Sequence, residues 1–187
     1  MARADVNTLS EEKTFYERFW NLLNDRQLME VFEKFGPTVF RRSSVLEGFE
    51  TFIRAQDFRG KVCCEIGTLN GLTALVLARY FEKVVTIDII DSPHKEEIAR
   101  MLRVNNVEFV NVKDNAAKAE AIGALDFDAA YVDGDHTHDT QQDFALVRRC
   151  GRVIFHEHWD AQPPVMNLVK TLGPSVVASG KFALWTA

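Results

Sequence analysis

A chain of 187 residues with a formal charge of −5 is long enough for one domain with a sizeable core, and too acidic for a surface that works mainly on nucleic acid. Three cysteines, two of them adjacent, make no disulfide framework, so a reducing cytoplasm is the expected compartment. No apolar run approaches a membrane span, and the N-terminus is too acidic and polar for a signal peptide.

Residues 1–7 carry no pattern. From Thr8, the run Thr-Leu-Ser-Glu11 offers a capping box, and Phe15, Phe19, Leu22 and Leu23 then recur at helical spacing. A helix is expected from about Ser10 toward Phe35, broken near residues 24–26 and stopped by Gly36-Pro37. Arg41 and Arg42 lie in a connector that reads either as a solvated basic stretch or as a meeting point for an acidic substrate. Ser43 or Ser44 can cap a second helix whose apolar face is Val45, Leu46, Phe49, Phe52 and Ile53. Residues 1–59 therefore read as a helical extension, and 60–187 as the main body.

The main body opens on the stretch that organises the rest. Val62 to Ile66 is a run of small and apolar residues, the pattern of a buried parallel strand, and it breaks at Gly67 into a short loop that Gly71 closes. Leu72, Leu75, Val76, Leu77 and Phe81 leave the helix that follows little surface for water. Glycine allows close approach of a ligand to the backbone, and the free amides of a helix start attract polar or anionic groups. A dinucleotide fingerprint would need G-x-G-x-x-G, whereas Glu65-x-Gly67-x-x-x-Gly71 lacks the central glycine. That absence argues against a nicotinamide oxidoreductase. An acid at the strand end opposes a pyrophosphate and suits a cationic or amino-bearing ligand. The competing reading is a plain strand-to-helix corner.

A second apolar strand, Val84 to Ile90, carries Asp88, 21 positions after Gly67, where a carboxylate can accept both hydroxyls of a ribose; Asp91 is the weaker candidate. Ser92-Pro93 starts a helix with Ile98, Met101 and Leu102 facing inward. A third strand, Val107 to Val112, ends in Lys113-Asp114-Asn115, where Asp114 can cap the alanine-rich helix that follows. A fourth, Phe127 to Val132, delivers Asp133-Gly134-Asp135-His136 and leads into a helix over Thr140 to Arg149. A fifth, Arg152 to Phe155, delivers His156-Glu157-His158, and Gln162 to Leu172 forms the last helix, opening on Pro163-Pro164. The tail from Ser175 to Trp185 is two short β runs about a Ser179-Gly180 turn. Five strands alternating with helices, then a hairpin, make an α/β doubly wound, mostly parallel sheet whose last strand is antiparallel.

The Glu65 to Gly71 loop with Asp88 behind it resembles that of the class I S-adenosylmethionine-dependent methyltransferases, over about residues 60–187. The Val-Asp133-Gly-Asp135-His136 turn and the later Cys-Gly-Arg152-Val-Ile-Phe-His-Glu157 stretch are similar to a subfamily of small O-methyltransferases with a D-G-D-H turn and a G-G-x-x-x-x-H-D stretch, except that Arg152 replaces the second glycine and Glu157 the aspartate. The resemblance implies a seven-stranded sheet of order 3-2-1-4-5-7-6. It implies that S-adenosylmethionine is held by Glu65, Gly67, Thr68, Asn70 and Gly71 under its methionine part, by Asp88 at the ribose, by Asp114 and Asn115 near the adenine, and by Asp133. It places the N-terminal extension over the cofactor or the acceptor pocket.

In a sheet of this kind ligands sit beyond the carboxyl ends of the strands, where strand order reverses. His136, His138, His156 and His158 all follow the fourth and fifth strands, beside Asp133, Asp135 and Glu157. Two mechanisms suit this rim. In one, a divalent cation (magnesium, manganese or zinc) held by Asp133, Glu157 and His158 lowers the pKa of an acceptor hydroxyl. In the other, His136 or Asp135 is the general base and Asp133 or Glu157 orients it. Histidines that merely cap strand ends are the structural alternative. The expected activity is methyl transfer to oxygen of a small hydroxylated metabolite, with a non-catalytic cofactor-binding scaffold as the competing class and a homo-oligomer left open.

Overall fold

The computed structural model describes residues 30–31, 33–36, 43–134, 140–156 and 163–187. Residues 30–31 and 33–36 are helical, as expected for the end of the first helix; its beginning, and Arg41 and Arg42, lie outside the described residues. A helix α1 (Ser43–Ala55) then leads into a sheet of seven strands. They are β1 (Gly60–Ile66), β2 (Phe81–Asp88), β3 (Val107–Asn111), β4 (Ala129–Val132), β5 (Arg152–His156), β6 (Val176–Ser179) and β7 (Phe182–Thr186). The order is β3-β2-β1-β4-β5-β7-β6, as expected. β1 to β5 pair in parallel and β7 runs antiparallel to both β5 and β6.

Helices cover both faces, which is why the central strands read as unbroken apolar runs rather than alternating ones. On one face α1, α2 (Leu72–Leu77) and α3 (Lys95–Met101) pack through Phe49, Phe52, Ile53, Leu75 and Ile98 onto Cys63, Val84, Tyr131 and Ile154. On the other, α4 (Asn115–Gly123), α5 (Thr140–Val147) and α6 (Pro163–Leu172) bring Ile122, Phe144, Val147, Val165 and Leu168 against Cys64, Ile66, Val132 and Phe155. The adjacent cysteines thus face opposite cores. Burial pushes the Cys63 thiol well up and the Cys64 thiol up to about 12, so both are neutral packing residues.

Several boundaries differ from expectation: Phe81 opens β2 rather than lying on the helix before it, β4 starts at Ala129 rather than Phe127, and two further differences have a visible physical reason. β2 stops at Asp88 instead of Ile90: Asp88 Oδ1 accepts the Ile90 amide at 2.9 Å and turns the chain, leaving Ile89 and Ile90 exposed. β5 runs on through His156, whose ring is stacked on Phe182 of β7 at 5.0 Å and so stays in the sheet. Among the described residues no helix is long and apolar enough to cross a membrane.

Candidate active site

Strand order reverses between β1 and β4, and the chemistry-bearing residues gather at the carboxyl ends of these strands and their neighbours. The loop after β1 is tied down on three sides. The Gly67 amide donates to Ile87 O of β2 at 3.0 Å, the Gly71 amide donates to Thr68 O at 2.7 Å, and the Asp133 amide after β4 donates to Ile66 O at 2.8 Å. Gly67 (φ 96°) and Gly71 (φ 75°) both have left-handed backbone. A Cβ on Gly67 would lie 2.2 Å from the carbonyl oxygen of Asp133, and one on Gly71 would lie 2.8 Å from the Phe109 ring. Both glycines are therefore demanded by the protein's own packing, where the sequence suggested close approach of a ligand.

Asp88 holds the same loop from the β2 side. Its Oδ2 accepts the Thr68 amide at 2.8 Å and the Leu69 amide at 3.0 Å, while Oδ1 takes the Ile90 amide. A carboxylate offers about four lone-pair sites, so three amides leave room for one further donor. Asn70 accepts from the Ser92 hydroxyl at 2.8 Å, and the buried Thr68 hydroxyl lies 2.6 Å from that of Thr86.

Two acids occupy the centre of the rim. Glu65, one residue before the end of β1, is fully buried, and among the described residues neither of its carboxyl oxygens has a hydrogen-bond partner. Burial pushes its carboxyl up to about 8; Asp133 and Asp88 push the same way, while the nearby Thr73 and Thr86 hydroxyls oppose without closing a bond. Asp133, just past β4, has a contact at each oxygen: His156 Nδ1 lies 2.8 Å from Oδ1, and the Tyr131 hydroxyl donates to Oδ2 at 3.3 Å. His156 is 3% exposed, enclosed by the rings of Phe182 and Tyr131.

No family model and no curated protein matches the chain. Solved structures do. An O-methyltransferase from Bacillus cereus, determined in complex with S-adenosylhomocysteine (SAH), superposes with a TM-score of 0.63 at 16% identity, over 92% of this chain and 96% of that one. A protein from Klebsiella pneumoniae assigned as an O-methyltransferase gives 0.63 at 18% identity, over 88% and 91%. Cofactor-bound Rv0187 from MTB gives 0.62 at 18%, over 87% and 90%.

The fold is that of the class I methyltransferases.

Within that methyltransferase fold, Glu65, Gly67, Thr68, Asn70, Gly71, Asp88 and Asp133 lie at or just past the carboxyl ends of β1, β2 and β4. Asp114 and Asn115 lie farther out, past β3 and exposed. Asp114 is the N-cap of α4, accepting the Ala117 amide at 2.8 Å, so its capping role is realised. Asp114→Ala is expected to cost about 1 kcal/mol of stability in denaturant unfolding, the usual cost of losing a side-chain cap; a loss below a few tenths would mean that the cap contributes nothing. The predicted bases Asp135 and His136 and the predicted metal ligands Glu157 and His158 lie outside the described residues. Among the described residues no group of three His, Cys, Asp or Glu is placed to hold a metal ion.

Two features escaped the sequence reading. His156 counted only as one member of a histidine group, yet it is the side chain seated on Asp133. Lys118 of α4 and Asp143 of α5 form a buried ion pair at 2.6 Å, and Asp143 Oδ2 lies 3.1 Å from where a Cβ of Gly134 would be. A lysine in an alanine-rich helix carries no local sign of such a pair; only the α/β packing that sets α4 beside α5 could have revealed it.

Proposed function

We propose that the protein is an S-adenosylmethionine-dependent methyltransferase that methylates oxygen of a small hydroxylated metabolite. One observation carries the reading: a fully buried carboxyl without a hydrogen-bond partner among the described residues, Glu65, at the reversal point of a class I methyltransferase sheet, with Asp88 and Asp133 near it. Such a group favours a positive charge nearby, and the cofactor brings an ammonium and a sulfonium. When bound, the cofactor supplies an electrophilic methyl group. The chain's own residues do the rest. Gly67 to Gly71 would carry the methionine part beside Glu65, and Asp88 has one acceptor site left for a ribose hydroxyl. Its grip on the Thr68 and Leu69 amides makes it equally a positioning residue for the loop.

At the acceptor side, Asp133 is fixed by His156 and Tyr131, so its carboxylate is oriented before any substrate arrives. That arrangement favours a route in which Asp133 orients a base, Asp135 or His136, that removes the acceptor proton. The metal-assisted route through Asp133, Glu157 and His158 would have to compete with the contacts that His156 and Tyr131 already make at Asp133.

The test is a calorimetric titration with SAH, with NADH as the comparison ligand. SAH alone is expected to bind. Asp88→Ala should then weaken SAH by at least ~1 kcal/mol, the low end for a hydrogen bond to a charged group, because both the ribose acceptor and the loop anchor are lost. Unchanged affinity would remove Asp88 from the site, and no binding of SAH would leave only a scaffold of this fold.

A further inference from the structure

Among the described residues, the carboxyl of Glu65 is fully buried with no hydrogen-bond partner. The other buried polar groups there have partners: Asp143 lies 2.6 Å from the Lys118 ammonium, and His156 Nδ1 lies 2.8 Å from Asp133. Glu65 has no oppositely charged contact among the described residues. Its neighbours deepen the problem. β2 contributes Asp88 and β4 contributes Asp133, both acting to keep the Glu65 proton on. α2, packed over this face, has no ionisable residue in its Leu72–Leu77 span, and the neighbouring Thr73 offers only a hydroxyl. α1 meets this face through Phe49 against Tyr131, and on β5 the His156 ring is committed to Asp133. An ionised carboxylate is disfavoured in such surroundings, so the group stays neutral until a positive charge is brought to it.

We propose that Glu65 is protonated in the free protein and ionises when an ammonium-bearing ligand settles on the Gly67 to Gly71 loop, so that ligand binding expels a proton to solvent. This rests on the cofactor reading above and adds to it a defined proton balance: the carboxyl O–H breaks, the proton passes to water or buffer, and no covalent bond to the ligand forms. The ligand's ammonium need not touch the carboxylate. In an interior of low effective dielectric its field acts across the loop.

The direction of the pH dependence follows from the free carboxyl's value of about 8. The ionised form that the ligand prefers is scarce below that pH, so affinity should fall about tenfold per unit as pH is lowered through the range 7.5 to 6. At pH 6.5 the free group is almost wholly protonated, and binding should release about 0.9 proton per ligand.

The deciding experiment titrates the full chain with SAH at pH 6.5 in buffers of different ionisation heat, whose slope gives the protons exchanged, and repeats it with Glu65→Gln. Release of about 0.9 proton by the wild type and about none by a Glu65→Gln variant that still binds is the expected result. Binding without proton release, or equal release by both proteins, overturns the inference and leaves the cofactor reading standing. Failure of SAH to bind overturns both. Because Glu65→Gln could fail to fold, the Glu65 carboxyl carbon is also followed by NMR in the wild type. A midpoint near 8 in the free protein, with an ionised signal at pH 6.5 in the complex, sustains the inference, and a free midpoint below about 6 overturns it.

Discussion

Gly67→Ala is expected to destabilise the fold by about 4 kcal/mol, read as a drop in the denaturant midpoint, and to abolish SAH binding with it. Two costs add. The backbone at φ 96° is strained for any residue with a side chain. The new Cβ would also meet Asp133 O at 2.2 Å, Asp133 C at 2.5 Å and Gly134 N at 2.8 Å. All three are backbone atoms, so no side-chain rotation can relieve the clash. The end of β4 must retreat from β1, breaking the Asp133 amide bond to Ile66 and carrying the Asp133 carboxylate away from His156. Gly173→Ala is the control. Its φ of 63° brings strain, but nothing lies within 4 Å of an added Cβ, and a loss of about 1 kcal/mol is expected. Equal losses in the two variants would show that the approach of β4 is yielding and that the loop is not built around it.

The same glycine shows how far the sequence could be read and where reading stopped. The alternation of apolar runs and helical patterns made the doubly wound sheet legible, because parallel strands covered on both faces have no polar side to show. Which atoms crowd Gly67 was not legible: Asp133 is brought there by the pairing of β1 with β4, a non-local contact that leaves no local mark. Asp88 was singled out by its offset from Gly67, but an offset carries no count of acceptor sites, and the three backbone amides it accepts make it an anchor of the loop whatever ligand it meets. The end of β2 was misplaced because Ile89 and Ile90 look like strand, while the carboxylate two residues back captures the Ile90 amide and ends it. His156 looked like rim chemistry. It is buried because β7 returns antiparallel and sets Phe182 directly across from it. Apart from the local Asp88–Ile90 turn, these cases share a cause: strand order was readable, but what strand order brings into contact was not.

Lys118→Met is expected to cost about 4 kcal/mol, since it leaves the Asp143 carboxylate buried without its cation. The two side chains are 7% and 1% exposed and their charged atoms are 2.6 Å apart, so water cannot replace the lost partner. An isolated pair on the surface would be worth well under ~1 kcal/mol; burial is what makes the difference. Asp143 also lies against Gly134, one residue beyond Asp133, so the damage should reach the site: relaxation of the carboxylate toward solvent would move the turn that follows β4. A double variant, Lys118→Met with Asp143→Leu, separates the two effects. Removing both charges should restore most of the unfolding free energy, because an apolar pair can replace a buried ion pair at little cost. SAH affinity should stay reduced, because leucine is bulkier than aspartate against the Gly134 backbone and offers it no polar contact. Recovery of both stability and binding would reduce the pair to a packing element, and a Lys118→Met loss under ~1 kcal/mol would show that solvent reaches Asp143 after all. Recovery of stability alone would place Lys118 and Asp143 as the support on which the Asp133 turn is held, on the sheet face opposite the His156 ring.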